Sequence, residues 1–369
     1  MEREQFDVVI IGAGQAGGPL STDMAASGRS VAIIERAHAG GTCINEGCMP
    51  TKAMVASARV ASLARRGREY GVRTGSVAVD LAEVRARKRG VVERMQAGSR
   101  ASIEWPANVE YIDGEATFTG PKQVRIAMAD GATREIEATE WVFINSGARP
   151  TIPMVPGIDT VPFLDSTSIM ELDVVPEHLI VLGGGPIGLE YAQMFRRFGS
   201  EVTLINHGSR LLSREDADVS EAMAEMLRGD GIEVLLNTDV TGMRMADGGP
   251  VLNITTNGDV RETAARHLLI AIGRTLNTDR LNLSATGVEL GKDGEILVND
   301  RLESSAEGIF ALGDVHGGPA FTHMSYDDYR IVRDNLLRDG HRTRDDRPTP
   351  YVIFTDPEMA RVGLSETQA

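Results

Sequence analysis

The stretch Asp7-Val-Val-Ile-Ile-Gly-Ala-Gly-Gln-Ala-Gly17 decides the fold. Its apolar, β-branched run suits a strand buried on both faces. Gly12, Gly14 and Gly17 follow, then an alanine-rich, helix-compatible segment over 19–27 and a second strand over 30–34 that ends at Glu35. In this order the glycines have separate tasks. Gly12 permits the tight turn, Gly14 lets backbone approach a pyrophosphate, and Gly17 lets helix and strand pack closely. The unpaired N–H groups of the helix start then face the phosphates. An acid 18 residues beyond Gly17 suits a ribose diol. A glycine-rich turn by itself would be weak; the strand before it, the helix after it and the acid make it a dinucleotide fingerprint.

The pattern recurs in His178-Leu-Ile-Val-Leu-Gly-Gly-Gly-Pro-Ile-Gly188, where Gly183, Gly185 and Gly188 take the same three places. Pro186 suits the first helical turn, where its missing N–H costs little. A helix over 187–198 stops at Gly199, and a strand over 201–205 follows. The fold class expected is α/β, with two Rossmann-like three-layer units. They bind two dinucleotides, or one is a degenerate copy. Eighteen residues past the third glycine stands Glu35 in the first copy and Asn206 in the second. A carboxylate there repels a 2′-phosphate. Asn206 removes that repulsion, and His207, Arg210 and Arg214 lie just beyond, so the second site is expected to take NADPH in preference to NADH. The opposing reading makes the two arginines solvated surface charges.

Each unit has a later apolar strand ending in a glycine loop, Trp141-Val-Phe-Ile-Asn-Ser-Gly-Ala-Arg149 and His267-Leu-Leu-Ile-Ala-Ile-Gly-Arg274. A proline-spotted run to Pro162 reads as the connector between them. Gly308-Ile-Phe-Ala-Leu-Gly-Asp314 is a further short buried strand with an acid at its end. Segments 117–128 and 251–256 read as hairpin strands. Residues 81–103 read as a long helix with Leu81, Val84, Val91, Val92 and Met95 on one face, and its arginines and Lys88 on the solvated side.

Composition narrows the function. The 369 residues include 42% hydrophobic types, enough for buried cores, and 40 glycines. Lys+Arg 38 against Asp+Glu 53 leaves a net charge of −15, a poor basis for binding nucleic acid. No apolar run approaches membrane-spanning length, and a strand begins almost at once where a signal peptide would be basic, then apolar. A cytoplasmic protein is expected, with neither nucleic acid nor membrane as partner. Two cysteines are too few for a secreted disulfide framework.

Those two cysteines lie in Gly40-Gly-Thr-Cys43-Ile-Asn-Glu-Gly-Cys48-Met-Pro-Thr-Lys52. A turn through Asn45 and Gly47 can bring their Cα atoms within disulfide range. Pro50 lies near the start of a helix that runs on through Lys52. Cys48 therefore sits at or just before a helix N-terminus, which stabilises a thiolate. A redox pair fits best. A metal site using His38 and a pair of inert thiols are the alternatives, although a closed zinc site wants four ligands.

Taken together, these motifs resemble the class I pyridine nucleotide–disulfide oxidoreductases, the family of dihydrolipoamide dehydrogenase, glutathione reductase and mercuric reductase. The resemblance runs over essentially the whole chain. The cysteine segment, with Met49 and the alanine-rich 53–65, is most similar to the mercuric-reductase-like branch, and Ala320-Phe-Thr-His-Met-Ser-Tyr-Asp-Asp328 fits it too. The resemblance implies that the first unit holds FAD through Gly12, Gly14, Gly17, Glu35, Gly41, Thr42, Ser146, Gly147 and Asp314. It implies that the second holds NAD(P)H through Gly183, Gly185, Gly188, Asn206, Arg210 and Gly273. Lys52 would sit near the flavin and pair with Glu190, a counter-charge for a buried cation that stabilises the reduced ring. Cys48 would be the charge-transfer thiolate and Cys43 the interchange thiol that meets a small disulfide or a metal ion. Dihydrolipoamide dehydrogenase is the second activity implied, and a nucleotide-binding module without turnover a third reading. The domains expected are an FAD-binding domain from 1–150 and 276–347, an NAD(P)-binding domain from 151–275, and the start of an α+β dimerisation domain from 348–369. In the family that last domain forms a homodimer and supplies a His–Glu pair; Tyr351-Val-Ile-Phe-Thr-Asp-Pro-Glu358 resembles its first strand. The chain is therefore expected to be a fragment of a longer dimeric enzyme, with His323 the nearest substitute acid–base.

Overall fold

The computed structural model describes residues 3–345 and 347–369. The chain divides into two compact units. The first comprises the described residues up to Met49 with Val92–Arg149 and Thr275–Thr349; the second comprises Pro50–Val91, Pro150–Arg274 and Pro350–Ala369. Segment 50–91 thus falls in the second unit, whereas the sequence places it in the FAD-binding domain. Among the described residues the α-helices are α1 (Gly17–Ala26), α2 (Gly41–Asn45), α3 (Cys48–Arg65), α4 (Leu81–Glu104), α5 (Pro186–Phe198), α6 (Ala217–Gly229) and α7 (Thr322–Leu337).

In the first unit a parallel sheet runs in the order Val109–Gly120, Val31–Glu35, Glu4–Ile11, Thr133–Ile144 and Ile309–Ala311. Val9 stands between Ala32 on one neighbour and Val142 on the other. Side chains alternate between the faces of a strand, and both faces are covered. Val8 and Ile10 pack with Leu20 and Met24 of α1 and with Ile331 and Val332 of α7. Val9 and Ile11 pack with Phe118, Ile126, Leu283 and Ile296 on the other side. That double burial is why the strand is apolar at every position from Val8 to Ile11. The Gln123–Met128 strand pairs antiparallel with the outer parts of Val109–Gly120 and Thr133–Ile144, so the hairpin expected over 117–128 extends the main sheet.

The second unit repeats the design. Its parallel sheet has the order His267–Ile270, His178–Leu182, Glu201–Ile205, Glu233–Leu235. Leu179 and Val181 face Phe195, Phe198 and Leu227, while Ile180 and Leu182 face Leu252 and Ile254 of a separate three-stranded antiparallel sheet. Pro186 opens α5, and Gly199 ends it with φ of +128°. The strand expected near the end of the chain is Tyr351–Ile353, paired antiparallel with Met359–Arg361. Both units are thus three-layer α/β structures.

One expectation about α4 is corrected. Lys88 is buried, not solvated, and pairs with Glu171, which also accepts from Arg89. Burial works to raise the Glu171 carboxyl, but the two cations outweigh it and hold it below the usual value. Positions 81, 84 and 88 share one helical stripe, so the periodicity placed Lys88 inward while its residue type argued outward.

The third glycines bring each helix start hard against the loop before it. A Cβ on Gly17 would stand 2.1 Å from the Gly12 carbonyl oxygen, and one on Gly188 would stand 1.9 Å from the Gly183 carbonyl oxygen. Gly188→Ala is expected to destabilise the second unit by about 2 kcal/mol, measured as a lower denaturation midpoint, with Ala222→Gly at an exposed position of α6 as the reference for an ordinary change of helix propensity.

Candidate active site

In the first unit the turn after Ile11 places Gly12 at φ +104°. Glu35 closes this loop from the next strand: its Oε2 accepts the Ala13 N–H at 2.9 Å and its Oε1 accepts the Ala37 N–H at 2.9 Å. Asn145, which the sequence reading passed over in favour of its neighbours Ser146 and Gly147, is a buried stitch. Its Oδ1 accepts the Gly17 N–H at 3.0 Å, and its Nδ2 donates to the Leu312 carbonyl at 2.8 Å. One amide therefore joins the glycine loop, the strand-end loop and the turn Gly313–His316 that carries Asp314. A polar residue inside an apolar strand end was the available signal.

In the second unit Asn206 does the work that Glu35 does in the first. Its Oδ1 accepts the Gly184 N–H at 3.1 Å, while its Nδ2 donates to the carbonyls of Gly208 at 2.9 Å and Arg210 at 3.1 Å. The loop anchor is kept and the negative charge is gone. His207 pairs with Asp239, and Arg210 and Arg214 are exposed. A Cβ on Gly185 or Gly273 would meet open space, and Gly183 adopts φ +121°.

The cysteine segment is held against the first glycine loop. The Gly40 N–H donates to the Ala13 carbonyl at 2.8 Å, and Gln15 Nε2 donates to the Gly40 carbonyl at 3.0 Å. A Cβ on Gly41 would lie 2.8 Å from Gly14 Cα. The short helix α2 carries Thr42 and Cys43; Asn45 Nδ2 ties it back by donating to the carbonyls of Ala39 and Gly41. Cys48 is the first residue of α3 and is exposed, whereas Cys43 is half-buried. Its Sγ lies 3.3 Å from Oγ1 of Thr322, the first residue of α7. Thr322 was missed by the sequence reading because 274 residues separate the pair. Its neighbour His323 is exposed and stacks on Phe321 with ring centroids 5.5 Å apart.

The second unit brings Lys52 and Glu190 together, with Nζ 2.8 Å from Oε2 and 3.0 Å from Oε1. Glu190 is buried in α5 and Lys52 is partly exposed in α3. The adjacent residues repeat the link: Thr51 Oγ1 lies 3.2 Å from Tyr191 Oη, which donates to the Ser166 carbonyl at 2.7 Å. Burial pushes the Tyr191 hydroxyl well above its ordinary value, so it stays a neutral donor.

A family model described as pyridine nucleotide-disulphide oxidoreductase matches residues 6–328. The chain belongs to that family. The probable pyridine nucleotide-disulfide oxidoreductase RclA of Escherichia coli (strain K12) is 38% identical over 369 residues, covering 99% of this chain and 78% of that protein. A mercuric reductase of Streptomyces lividans is 36% identical over 364 residues, covering 98% of this chain and 76% of that protein. A solved structure of the Cu(II) complex of the HOCl-induced flavoprotein disulfide reductase RclA from Escherichia coli superimposes with a TM-score of 0.88 at 37% identity, over 100% of this chain and 79% of that one. The pyridine nucleotide–disulphide oxidoreductases are enzymes that use FAD and NAD(P)H. Among the described residues no helix is long and apolar enough to cross a membrane.

The residues present fit both nucleotides of the oxidoreductase. The N-caps of α1 and α5, Ala16 and Gly185, provide no side-chain cap, which leaves helix-start N–H groups for phosphates. Ser146 Oγ is buried, and no described residue bonds it; a ligand hydroxyl or carbonyl there would remove an otherwise costly orphan.

The turn that carries Asp314 is braced by a buried polar cluster. Asp328 of α7 accepts from the Gly313 N–H at 2.8 Å, lies 2.9 Å from His316 Nε2, and pairs with Arg347 at 2.7 Å. Burial works to raise the Asp328 carboxyl, but His316, Arg347 and the Gly313 N–H outweigh it and hold the carboxyl below the usual range. A depressed carboxyl stabilises the fold above its unfolded value, and that contribution is lost as pH falls through the folded one. Asp328→Asn is therefore expected to cost about 2–3 kcal/mol at pH 7. The gap between the two melting curves should close below about pH 4. At Cys48, Thr322→Val is expected to slow alkylation of the reduced thiol at pH 7 about three- to tenfold, as loss of roughly 1 kcal/mol of hydrogen bonding to a thiolate implies. Thr322→Ser should retain the rate, with iodoacetamide kinetics followed by peptide mass spectrometry.

Proposed function

We propose that this oxidoreductase passes electrons from NADPH to the Cys43–Cys48 pair and from there to a small disulfide or a thiol-binding metal ion. The observation that carries the reading is the setting of Cys48: an exposed thiol at the first position of α3, contacted by the Thr322 hydroxyl, with Cys43 on the preceding short helix. FAD, when bound, would supply the two-electron hydride chemistry that links the nicotinamide to the disulfide. Gly12, Gly14 and Gly17 would let the α1 N-terminus meet its pyrophosphate, with Gly41, Thr42, Ser146, Gly147 and Asp314 around the rest of the molecule. The Lys52 ammonium, fixed by Glu190, would stabilise negative charge on the reduced ring.

The chemistry of the pair balances without another reductant. Two electrons and two protons convert the Cys43–Cys48 disulfide to two thiols. The helix start and the Thr322 hydroxyl favour a thiolate at Cys48. The Cys43 thiolate attacks one sulfur of a substrate disulfide and releases the first product thiol. Cys48 then attacks Cys43 in the mixed disulfide, releases the second thiol and restores the internal disulfide. A metal ion would instead be held by the two sulfurs before reduction, which suits soft thiophilic ions. The branch similarity to mercuric reductase and RclA supports including metal ions.

The test is spectral and kinetic. NADPH added anaerobically should bleach the flavin band of the wild type and produce a long-wavelength band that is absent from Cys48→Ser, while FAD stays bound. Cys43→Ser should keep that band and lose turnover of both a disulfide and Hg(II) or Cu(II). Retention of the band in Cys48→Ser would reverse the assignment of the two sulfurs. For the nucleotide, Arg210→Ala is expected to reduce the ratio of kcat/KM for NADPH over NADH about tenfold, equivalent to ~1.4 kcal/mol; an unchanged ratio would make Arg210 a solvated charge.

A further inference from the structure

Phe354 follows the strand Tyr351–Ile353, yet its side chain behaves differently from that of its neighbour. Ile353 belongs to the apolar core of the second unit, and Tyr351 packs against it; Phe354 is part of neither group and is half-buried. It touches both members of the Lys52–Glu190 pair instead. Its backbone N–H donates to Glu190 Oε1 at 2.9 Å, and its ring lies beneath the Lys52 ammonium, 4.5 Å from Nζ to the centroid. The contact is held from α5. Gln193 Oε1 accepts the Asp356 N–H at 2.8 Å, Gln193 Nε2 donates to the Asp356 carbonyl at 3.1 Å, and Arg197 pairs with the Asp356 carboxylate at 2.8 Å. Residues 190, 193 and 197 share one face of that helix, so a single helical stripe sets both the anion and the segment that brings the ring.

We propose that Phe354 is a positioning residue for Lys52: its ring face holds the ammonium in a fixed direction, while its N–H holds the carboxylate that balances it. The proposal rests on the reading that places Lys52 beside the flavin. The negative face of an aromatic ring attracts a cation, most strongly where water is partly excluded. Glu190 takes two hydrogen bonds from Nζ, which leaves one N–H of the three. With the ring covering another side, that last donor has a restricted direction. Lysine is otherwise a flexible point charge on a four-carbon stem, and a cation that must act on one ring needs such restraint.

The experiment acylates the Lys52 amine of the holoenzyme with acetic anhydride at one fixed pH and follows the Lys52 peptide by mass spectrometry. Phe354→Leu keeps the backbone N–H and most of the apolar volume but removes the π face. Its Lys52 amine is expected to label about fivefold faster than that of the wild type. Phe354→Trp should restore the wild-type rate, which a merely space-filling role would not require. A Phe354→Leu rate that coincides with wild type overturns the proposal, as does a Phe354→Trp rate equal to that of Phe354→Leu. The flavin midpoint potential of the same variants is a separate readout. A labelling shift with no change of potential keeps the clamp and rejects the placement of Lys52 beside the flavin. A changed potential with no labelling shift rejects the clamp.

Discussion

The rest of the structure depends on how closely a helix start can approach the strand before it. In each unit the third glycine of the loop packs against the carbonyl oxygen of the first, and a single added carbon would collide with it. That contact sets where the helix begins, and so where its unpaired N–H groups point. Phosphate binding needs those groups to converge on one place, and any side chain at Gly17 or Gly188 would push the helix away.

Around this geometry, buried polar groups act as locators. Asn145 joins three segments with one amide, and Asp328 collects His316, Arg347 and a backbone N–H around one carboxylate. Unpaired polar groups in such places would be costly, so each has one acceptable arrangement, and the loops it joins inherit that precision. The two glycine loops show the same idea with different chemistry. Glu35 and Asn206 both accept a loop N–H, at 2.9 and 3.1 Å. An amide can replace a carboxylate as an anchor because the anchoring task needs only a lone pair. The charge, which the anchoring does not need, is then free to differ between the two units.

The chain's own order determined the architecture and the nature of the chemistry. Strand, glycines, helix and acid occur within short windows, so local spacing carries them, and both three-layer units follow. Cys43, Cys48 and the helix behind them were legible for the same reason. The sequence also carried information that residue type obscured: Lys88 stands in the apolar stripe of α4, and the periodicity was the better guide. What only the tertiary structure decided are contacts between residues far apart in the chain. Thr322 reaches Cys48 because α7 returns to the start of α3, Asn145 bridges to both Gly17 and Leu312, and Phe354 meets Lys52 and Glu190 because α5 holds the segment around Asp356. Such partners leave no periodic signal. A hydroxyl, an amide or a ring is selected there by a distance in space, and spacing along the chain does not encode that distance.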